Sequence, residues 1–203
     1  MTGMDAQTEK MRGFFDRCAG GWDVSRRGDP RKIAALVTLA GVRKGSRVLD
    51  IACGTGVLFP EILSRDPALL LGVDLSGRMI EKARSKFHDP RLRLAALDFF
   101  NVRESGFDTA FLFCAYPHFP DKARLCEQMA AVLKPGGRMM VAHDMGRGAV
   151  NRCHGGEAVG RLSWALRPVR EEAARFSGRF RIDMAADTDE LYFFSGVKKQ
   201  QST

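Results

Sequence analysis

Residues 48–56 of this chain are Val-Leu-Asp-Ile-Ala-Cys-Gly-Thr-Gly, an apolar run that ends in a turn of small residues. The run predicts a buried strand, and Gly54 and Gly56 allow the backbone to turn sharply and to approach a ligand closely. A nicotinamide dinucleotide fingerprint would need a third glycine where Phe59 stands. Asp50 would repel a pyrophosphate and attract a cationic ligand. The stretch therefore predicts a strand and a ligand-binding turn, and it disfavours a nicotinamide-dependent dehydrogenase.

Further strand-like and helix-like segments alternate along the chain. Continuous apolar strands separated by helices are typical of a parallel sheet that is covered on both faces. The last two strand-like runs have a connection too short for a parallel crossover, so we expect an antiparallel pair. The prediction is one Rossmann-like, doubly wound α/β domain over residues 1–203, with a mostly parallel seven-stranded sheet and a C-terminal antiparallel strand pair. The strand-like runs are 46–52, 69–74, 91–98, 107–115, 138–145, 179–187 and 191–199, and the helical segments include 58–64, 78–87 and 122–133.

Capping residues mark the expected helix ends. Asp29 offers an N-cap with proline at the first helical position, and Gly41 is well placed to end that helix. Ser76 is the expected cap of the helix that follows it. The Leu-Lys-Pro-Gly-Gly segment at 133–137 predicts a helix stop and a tight turn that leads into the fifth strand.

Composition and charge limit the classes of function. The chain has 203 residues and a formal net charge of +8, but its basic residues are scattered among acidic ones, which is typical of solvated helix faces. No segment has the apolar length of a membrane span, and the N-terminal residues lack the features of a secretory signal, so we expect a cytoplasmic protein. The five cysteines are widely spaced and form no C-x-x-C motif, so we expect neither a disulfide framework nor a zinc knuckle.

Three predicted strands end in acidic residues. Asp50 precedes the small-residue turn, Asp74 ends the second strand and Asp98 ends the third. In open α/β sheets, ligands bind outside the carboxyl ends of the strands, where an acid can accept both ribose hydroxyls of a nucleoside. If Asp74 takes the ribose, Asp98 lies where an adenine amino group would reach. The three positions together favour a nucleoside that carries a positive charge.

Five motifs occur in order along the chain. They are Val-Leu-Asp-Ile-Ala-Cys-Gly-Thr-Gly at 48–56, Val-Asp-Leu-Ser at 73–76, Asp98, Phe-Asp-Thr-Ala-Phe at 107–111 and Leu-Lys-Pro-Gly-Gly at 133–137. This set resembles class I methyltransferases that use S-adenosylmethionine (SAM), and the resemblance runs over essentially the whole chain. Residues 14–23 are similar to the N-terminal helix of the ubiquinone/menaquinone-biosynthesis-type branch, in which an aromatic residue closes over the cofactor. The resemblance implies SAM as cofactor and S-adenosylhomocysteine (SAH) as product.

The resemblance also assigns residues to the cofactor. It implies that the turn surrounds the methionine part, that Asp74 holds the ribose and that Asp98 meets the adenine edge. Ala52 stands where the family more often has glycine, a change of one methyl group that we expect to be tolerated. The residues expected at the cofactor are Trp22, Asp50, Ala52, Cys53, Gly54, Gly56, Asp74, Leu75, Met79, Asp98, Phe99 and Cys114.

Three of the four histidines fall on loops expected beside the reacting methyl group. Methyl transfer is an in-line displacement in which the protein mainly supplies orientation, but a base helps an acceptor that must lose a proton. His118, His143 and His154 are therefore candidate catalytic residues, with hydrogen-bonded scaffolding as the alternative for each. Their spacing matches no known pair of metal ligands, so no metal site is predicted.

The segment from His143 to Gly156 is similar to one found in bacterial small-molecule members of this superfamily. The shared pattern includes Arg147 and Asn151. With Tyr116, which follows the fourth strand, these are the expected substrate-binding residues. The acceptor itself is not readable from the sequence.

The expected function is methyl transfer to a small-molecule acceptor by a monomer or homodimer, with residues 1–28 as an N-terminal helix and lid and residues 145–178 as an acceptor-side loop and helix. A tRNA or rRNA methyltransferase is an alternative. Against it, residues 114–119 lack the Asn/Asp-Pro-Pro-aromatic turn of base amino-methylating enzymes, and no Pro-Cys pair is present for cytosine chemistry. A SAM-binding protein without turnover is a second alternative, since fold alone does not establish catalysis.

Overall fold

The computed structural model describes residues 6–25, 28–155 and 162–200. Its strands are β1 (Arg47–Ile51), β2 (Leu69–Asp74), β3 (Leu92–Ala96), β4 (Phe107–Phe113), β5 (Leu133–His143), β6 (Phe180–Asp187) and β7 (Tyr192–Lys198). Within the described ranges they form one seven-stranded sheet in the order β3-β2-β1-β4-β5-β7-β6. Strands β1 to β5 run parallel, whereas β7 runs antiparallel to both β5 and β6. This confirms the predicted Rossmann-like α/β fold with a C-terminal antiparallel pair.

Helices cover both faces of this sheet. They are α1 (Ala6–Cys18), α2 (Trp22–Ser25), α3 (Pro30–Leu39), α4 (Phe59–Ser64), α5 (Gly77–Lys86), α6 (Lys122–Val132), α7 (Arg147–His154) and α8 (Val169–Ala174). Leu49 and Ile51 of β1 pack in one buried cluster with α6 and α8, and Val48 packs in the other with α3, α4 and α5. Alternate residues of a strand point to opposite faces, so a strand covered on both sides must be apolar throughout.

Side-chain caps begin two helices as predicted. The Asp29 carboxylate accepts the backbone N–H groups of Arg31 at 2.9 Å and Lys32 at 3.4 Å. The Ser76 hydroxyl accepts the N–H of Met79 at 3.1 Å. These bonds satisfy N–H groups that have no partner within the first turn of a helix. For this reason α3 and α5 begin directly after the two polar residues.

Strand β5 begins earlier than the sequence predicts. Leu133 already pairs with Phe107 of β4, and the register then shifts before Thr109 pairs with Arg138. The expected turn lies inside the strand, where Gly136 has a φ of 74°, a left-handed conformation that suits glycine. The predicted turn is therefore present, but it interrupts the ladder of β5 instead of preceding it.

The parallel strands bring the carboxyl ends of β1 to β5 to one edge of the sheet, and α1 lies over that edge. The Asp16 carboxylate of α1 accepts the Ser76 hydroxyl at 2.6 Å, and Lys82 of α5 donates to the Gly20 carbonyl at 2.8 Å. These contacts place α1 next to the edge at which such sheets bind ligands. No helix in the described ranges is long and apolar enough to cross a membrane.

Candidate active site

A cavity of about 870 Å³ lies between α1 and the carboxyl ends of the parallel strands. Small-molecule sites have volumes of roughly 300–1,000 Å³, so this cavity is among the larger ones. Of the residues predicted from sequence, the cavity is lined by Trp22, Ala52, Cys53, Gly54, Asp74, Leu75, Met79, Asp98, Phe99, Cys114, His118, His143 and His154. The described residues Asp50, Gly56, Tyr116, Arg147 and Asn151 are not part of its wall.

Asp74 ends β2, and its carboxylate is tied to the small-residue turn. Its Oδ2 accepts the Gly54 N–H and its Oδ1 accepts the Ser76 N–H, both at 2.8 Å. Burial raises the pKa of Asp74 to about 6, although the two N–H bonds oppose the shift. Each carboxylate oxygen can accept more than one hydrogen bond. Asp74 therefore retains the capacity to accept hydroxyl groups of a ligand in the cavity.

Asp50, near the end of β1, lies buried behind the cavity wall. Its Oδ2 has no hydrogen-bond partner among the described residues. Burial, together with the charge of Asp74, raises the pKa of Asp50 well above its ordinary value. Buried carboxylate oxygens normally have a donor, and a nearby cation favours their ionised form. Asp50 thus gives this end of the cavity a preference for a positively charged or hydrogen-bond-donating group.

The turn after β1 combines three positive φ angles, 54° at Ala52, 54° at Gly54 and 90° at Gly56. A left-handed conformation costs a residue with a Cβ roughly 1–2 kcal/mol, so the alanine is accommodated at an energetic cost. A Cβ on Gly54 would lie 3.5 Å from Trp22 Nε1, which places Gly54 in the wall beside that ring. A Cβ on Gly56 would lie 2.6 Å from Phe59 Cε2, so Gly56 is needed for the packing of Phe59.

Beyond Asp74, the side of the cavity next to β2 and β3 is apolar apart from the carboxylate of Asp98. Leu75, Met79 and Phe99 line it, and Met79 and Phe99 are buried. The Asp98 carboxylate accepts the N–H of Phe100 through Oδ1 at 3.0 Å, which caps a short 3₁₀ turn. An apolar wall with one acceptor at its edge suits a flat ligand group that carries a polar rim.

Helices α1 and α2 close the cavity with aromatic side chains. The Phe15 and Trp22 rings meet edge to face at 5.8 Å, and Phe15 meets the His118 ring in the same way at 5.0 Å. The Asp23 carboxylate accepts the Thr55 hydroxyl, which ties α2 to the turn after β1. Trp22 therefore lies beside that turn, where the resemblance places a closing aromatic residue.

His118 and His154 form a direct pair on the opposite side of the cavity. Their Nε2 atoms are 3.3 Å apart. The Nδ1 atom of His118 is 3.0 Å from the Leu162 carbonyl oxygen, and the Nδ1 atom of His154 is 2.7 Å from the Val150 carbonyl oxygen. Within residues 6–25, 28–155 and 162–200, no three His, Cys, Asp or Glu side chains form a group suited to a metal ion.

His143, at the end of β5, has a different environment from the other two histidines. It is 2% exposed, and its Nε2 has no partner in the described part of the chain. Burial lowers the pKa of His143 to about 3, with smaller contributions from His154, His118 and Lys122. A group that is neutral at physiological pH and this weakly basic is a poor general base. The three histidines are therefore not equivalent candidates.

The three residues predicted to bind substrate have contacts outside the cavity. The buried Tyr116 hydroxyl donates to Glu172 at 2.7 Å. The Asn151 side chain accepts the Leu166 N–H at 2.7 Å and donates to the Leu166 carbonyl at 3.1 Å. Arg147 pairs with Asp187 at 3.0 Å. The structure does not bring these side chains together with the histidines, and each of them holds neighbouring segments in place.

Comparisons with known proteins agree with this geometry. A family model described as a methyltransferase domain matches residues 48–137. A ubiquinone biosynthesis O-methyltransferase of Coxiella burnetii is 27% identical over 140 residues, which cover 64% of this chain and 59% of that protein. Residues 48–137 therefore match a methyltransferase domain, and the chain is similar to SAM-dependent methyltransferases of class I. The family match confirms the resemblance, including SAM as the expected cofactor and a methyltransferase domain as the expected kind of enzyme.

Solved structures show how far the methyltransferase fold extends over this chain. A chain of the complex between the Haloferax volcanii Trm112 methyltransferase activator and a methyltransferase has a TM-score of 0.76 at 16% identity, covering 98% of this chain and 100% of that one. The N-methyltransferase NodS of Bradyrhizobium japonicum, in complex with SAH, has a TM-score of 0.65 at 15% identity. The match covers 84% of this chain and 87% of that one. These identities establish likeness of fold. This chain matches 59% of the length of its Coxiella relative.

Several residues of the methyltransferase cavity were missed by the sequence analysis. Met11, Phe100 and Met145 line the cavity. The thiol of Cys114, a predicted cofactor residue, donates to Asp144 at 3.3 Å. Aromatic residues are visible in the sequence, but the face of α1 that meets the cavity depends on how the helix packs. Gly156, the last position of the pattern after the fifth strand, lies outside the described residues.

Proposed function

We propose that this protein transfers the methyl group of SAM to a small molecule that has an aromatic body. One observation carries the proposal: a single cavity connects the carboxylate of Asp74 with the paired histidines 118 and 154. The first end suits a nucleoside, and the second suits an acceptor that must lose a proton. A shared cavity allows the two to meet without water between them, which is the main contribution of a protein to such a displacement.

The side chains at the first end fit the cofactor. SAM supplies, when bound, a methyl group on a positively charged sulfur. Asp74 has free acceptor capacity for ribose hydroxyls, and Asp98 is the acceptor beside the apolar wall that suits adenine. The unpartnered Asp50 Oδ2 is a buried acceptor behind the turn, and a cation nearby would favour its ionised form. These acceptors favour a cationic nucleoside over a dinucleotide, because carboxyl groups near the turn offer a pyrophosphate no donor and Asp74 would repel it.

The second end supports a small, largely apolar acceptor. Phe15, Phe100, Phe119, Met145 and Val150 line this cavity, and the cover supplied by α1 excludes bulk water. Aromatic and apolar walls with a few polar groups are typical of small-molecule sites. The Coxiella relative is named a ubiquinone biosynthesis O-methyltransferase, which supports an aromatic hydroxyl compound as the acceptor. Residues 1–28 would act as the lid, and residues 145–178 would shape the acceptor side.

Two measurements test the proposal. Calorimetric titration of the purified protein with SAM and SAH should show one binding site per chain. SAM with a labelled methyl group is then incubated with phenols, catechols, thiols, amines and bulk tRNA, and SAH release and label transfer are measured. Transfer to an aromatic hydroxyl is the expected result. Binding without transfer to any acceptor would favour a SAM-binding protein without turnover, and transfer to tRNA alone would replace the small-molecule assignment.

A further inference from the structure

The cover of the cavity consists of α1, α2 and the 3₁₀ turn between them, residues 6–25. Of these residues only Ala19 is buried, and the aromatic side chains that face the cavity are half-buried. A surface helix normally packs on its domain through a buried apolar stripe. Because α1 and α2 lack buried residues, polar contacts contribute more to holding the cover closed than they do for the core helices.

Two carboxylates of the cover accept hydrogen bonds from buried hydroxyl groups of the domain. Asp16 Oδ1 accepts the Ser76 hydroxyl at 2.6 Å and also the Arg78 N–H at 3.2 Å. The Asp23 carboxylate accepts the Thr55 hydroxyl. Ser76 and Thr55 are both buried. Hydrogen bonds to charged groups are stronger than those between neutral groups, so these contacts attach the cover to the domain at two defined points.

Ser76 and Thr55 also connect to the carboxylate of Asp74. The Ser76 N–H donates to Asp74 Oδ1 at 2.8 Å. The Gly54 N–H donates to Asp74 Oδ2 at 2.8 Å, and Gly54 directly precedes Thr55. A chain of contacts therefore runs from one carboxylate of the cover, through Ser76, Asp74 and the turn after β1, back to the other carboxylate. Movement of the cover acts on both N–H donors of Asp74.

The four side chains of these two attachments stand outside the cavity wall: Asp16, Asp23, Ser76 and Thr55 do not line it. Either carboxylate can therefore act on a bound cofactor in two ways, through its negative charge or through the position of the hydroxyl that it binds. The two ways are separable for Asp16, because both of its hydrogen bonds are made to Oδ1 and an asparagine retains that oxygen without the charge.

We propose that Asp16 and Asp23 are positioning residues of the SAM site. They bind the hydroxyls of Ser76 and Thr55 and thereby keep both N–H donors in place on Asp74. With both donors in place, the remaining acceptor capacity of Asp74 is available to the ribose hydroxyls. Closure of the cover and binding of the cofactor then favour each other, because such coupling is reciprocal. The inference rests on the proposed function, since it requires that the cavity binds SAM.

Calorimetric titration with SAH and SAM measures the positioning effect. Asp16→Ala removes both hydrogen bonds and should raise the Kd of each ligand about tenfold. Asp16→Asn keeps both bonds, so its Kd values should stay within about threefold of those of the unmodified protein. Glu9→Ala is the matched control, because Glu9 lies on the same helix but pairs with Arg12 of α1 at 2.6 Å. It should bind both ligands like the unmodified protein.

Asp23→Ala and Thr55→Val remove the second attachment from its two sides, and circular dichroism verifies the fold of every variant. Each should weaken SAH binding about tenfold, because both break the hydrogen bond between the same two side chains. These two variants decide the question on their own if Asp16→Ala does not fold. If both bind SAH like the unmodified protein, the proposal is overturned.

Hydrogen exchange followed by mass spectrometry measures the cover without any substitution and without methyl transfer. Protected amides exchange when their segment opens, so SAH should slow exchange in α1 of the unmodified protein by at least about fivefold. In the absence of ligand, α1 of Asp16→Ala should exchange faster than α1 of the unmodified protein. Alanine favours a helix more than aspartate does, so faster exchange would report the lost attachment.

The remaining outcomes separate this inference from the proposed function. The inference is overturned if a folded Asp16→Ala binds SAH within about threefold of the unmodified protein, or if SAH does not slow exchange in α1. An equal loss of affinity in Asp16→Asn and Asp16→Ala would also overturn it, because the charge of Asp16 would then explain the effect. If the unmodified protein does not bind SAH, the proposed function itself fails.

Discussion

The carboxylate of Asp74 makes the sharpest prediction, because its hydrogen bonds define what a substitution removes. Both oxygens accept a backbone N–H at 2.8 Å, one from Gly54 and one from Ser76. In Asp74→Asn, the amide keeps one acceptor oxygen and turns an NH₂ group towards the other N–H donor. The substitution therefore weakens the turn after β1 and removes one acceptor for the ribose.

The expected loss of SAH affinity in Asp74→Asn follows from these hydrogen bonds. A hydrogen bond to a charged group contributes about 1.5–3 kcal/mol, and a buried donor without a partner costs about 1–3 kcal/mol. The unpaired donor is already present in the free variant, so the loss of SAH binding should be about 2–3 kcal/mol. This corresponds to a roughly 30- to 150-fold higher Kd.

The pH dependence provides an independent test. The pKa of Asp74 is raised by burial from 3.8 to about 6, and we expect SAH to require the ionised carboxylate. SAH affinity should then fall as the pH drops through 6, by about tenfold at pH 5. The free energy of unfolding depends on pH with the opposite sign. Between about pH 6 and pH 4 the Asp74 carboxylate binds a proton in the folded state but not in the unfolded state. The contribution of Asp74 to stability therefore increases as the pH falls through that range.

The assay is calorimetric titration with SAH from pH 7.5 to 5, with circular dichroism to verify folding. Asp66→Asn is the matched control, because Asp66 is 55% exposed and pairs with Lys44 and Arg91 away from the cavity. Asp66 also has a φ of 55°, which asparagine tolerates. Asp74 does not hold the ribose if Asp74→Asn binds SAH within threefold of the unmodified protein, or if the SAH affinity of Asp74→Asn falls with pH as steeply as that of the unmodified protein.

Three further substitutions test the packing around the site. Ala52→Gly should raise the free energy of unfolding by about 0.5–1 kcal/mol in urea titrations, because residue 52 has positive φ; a decrease would contradict the strain. Gly56→Ala should lower the free energy of unfolding by about 2–3 kcal/mol, and with it the melting temperature, since its Cβ would lie 2.6 Å from Phe59 Cε2; an unchanged thermal unfolding transition would show that the Phe59 ring moves away freely. Asn151→Ala should cost about 1–3 kcal/mol of stability, because the Leu166 N–H and carbonyl both lose a partner. SAH affinity should stay within threefold, and a large loss of affinity with normal stability would return Asn151 to the binding site.

The general fold was predictable because its signals are local. Apolar runs alternate with amphipathic segments, and Asp29 and Ser76 stand where helix N-caps are needed, so the element order and most boundaries follow from neighbouring residues. The end of each strand also fixes where its last side chain stands relative to the sheet edge. For that reason Asp74 and Asp98 could be placed at the ligand-binding edge before any coordinates. The early start of β5 was not predicted, because a strand can resume its ladder after an internal turn.

The candidate site was predicted less completely. Tyr116 follows β4, and Asn151 and Arg147 lie on α7, yet each side chain points to a different partner, Glu172, Leu166 or Asp187. The position of a segment after a strand is set by sequence order, but side-chain direction depends on which distant acceptors or carbonyls lie within reach.

The strand-and-helix order, the capped helix starts and the acidic residues at the strand ends follow from local conformational preference and from periodicity, so they can be read from neighbouring residues. Only the folded chain shows that His118 meets His154, that His143 is buried, and that Gly56 leaves room for the Phe59 ring. Each of these facts depends on segments that are distant in sequence becoming neighbours. The lowered pKa of His143 follows from its burial, which no local pattern specifies.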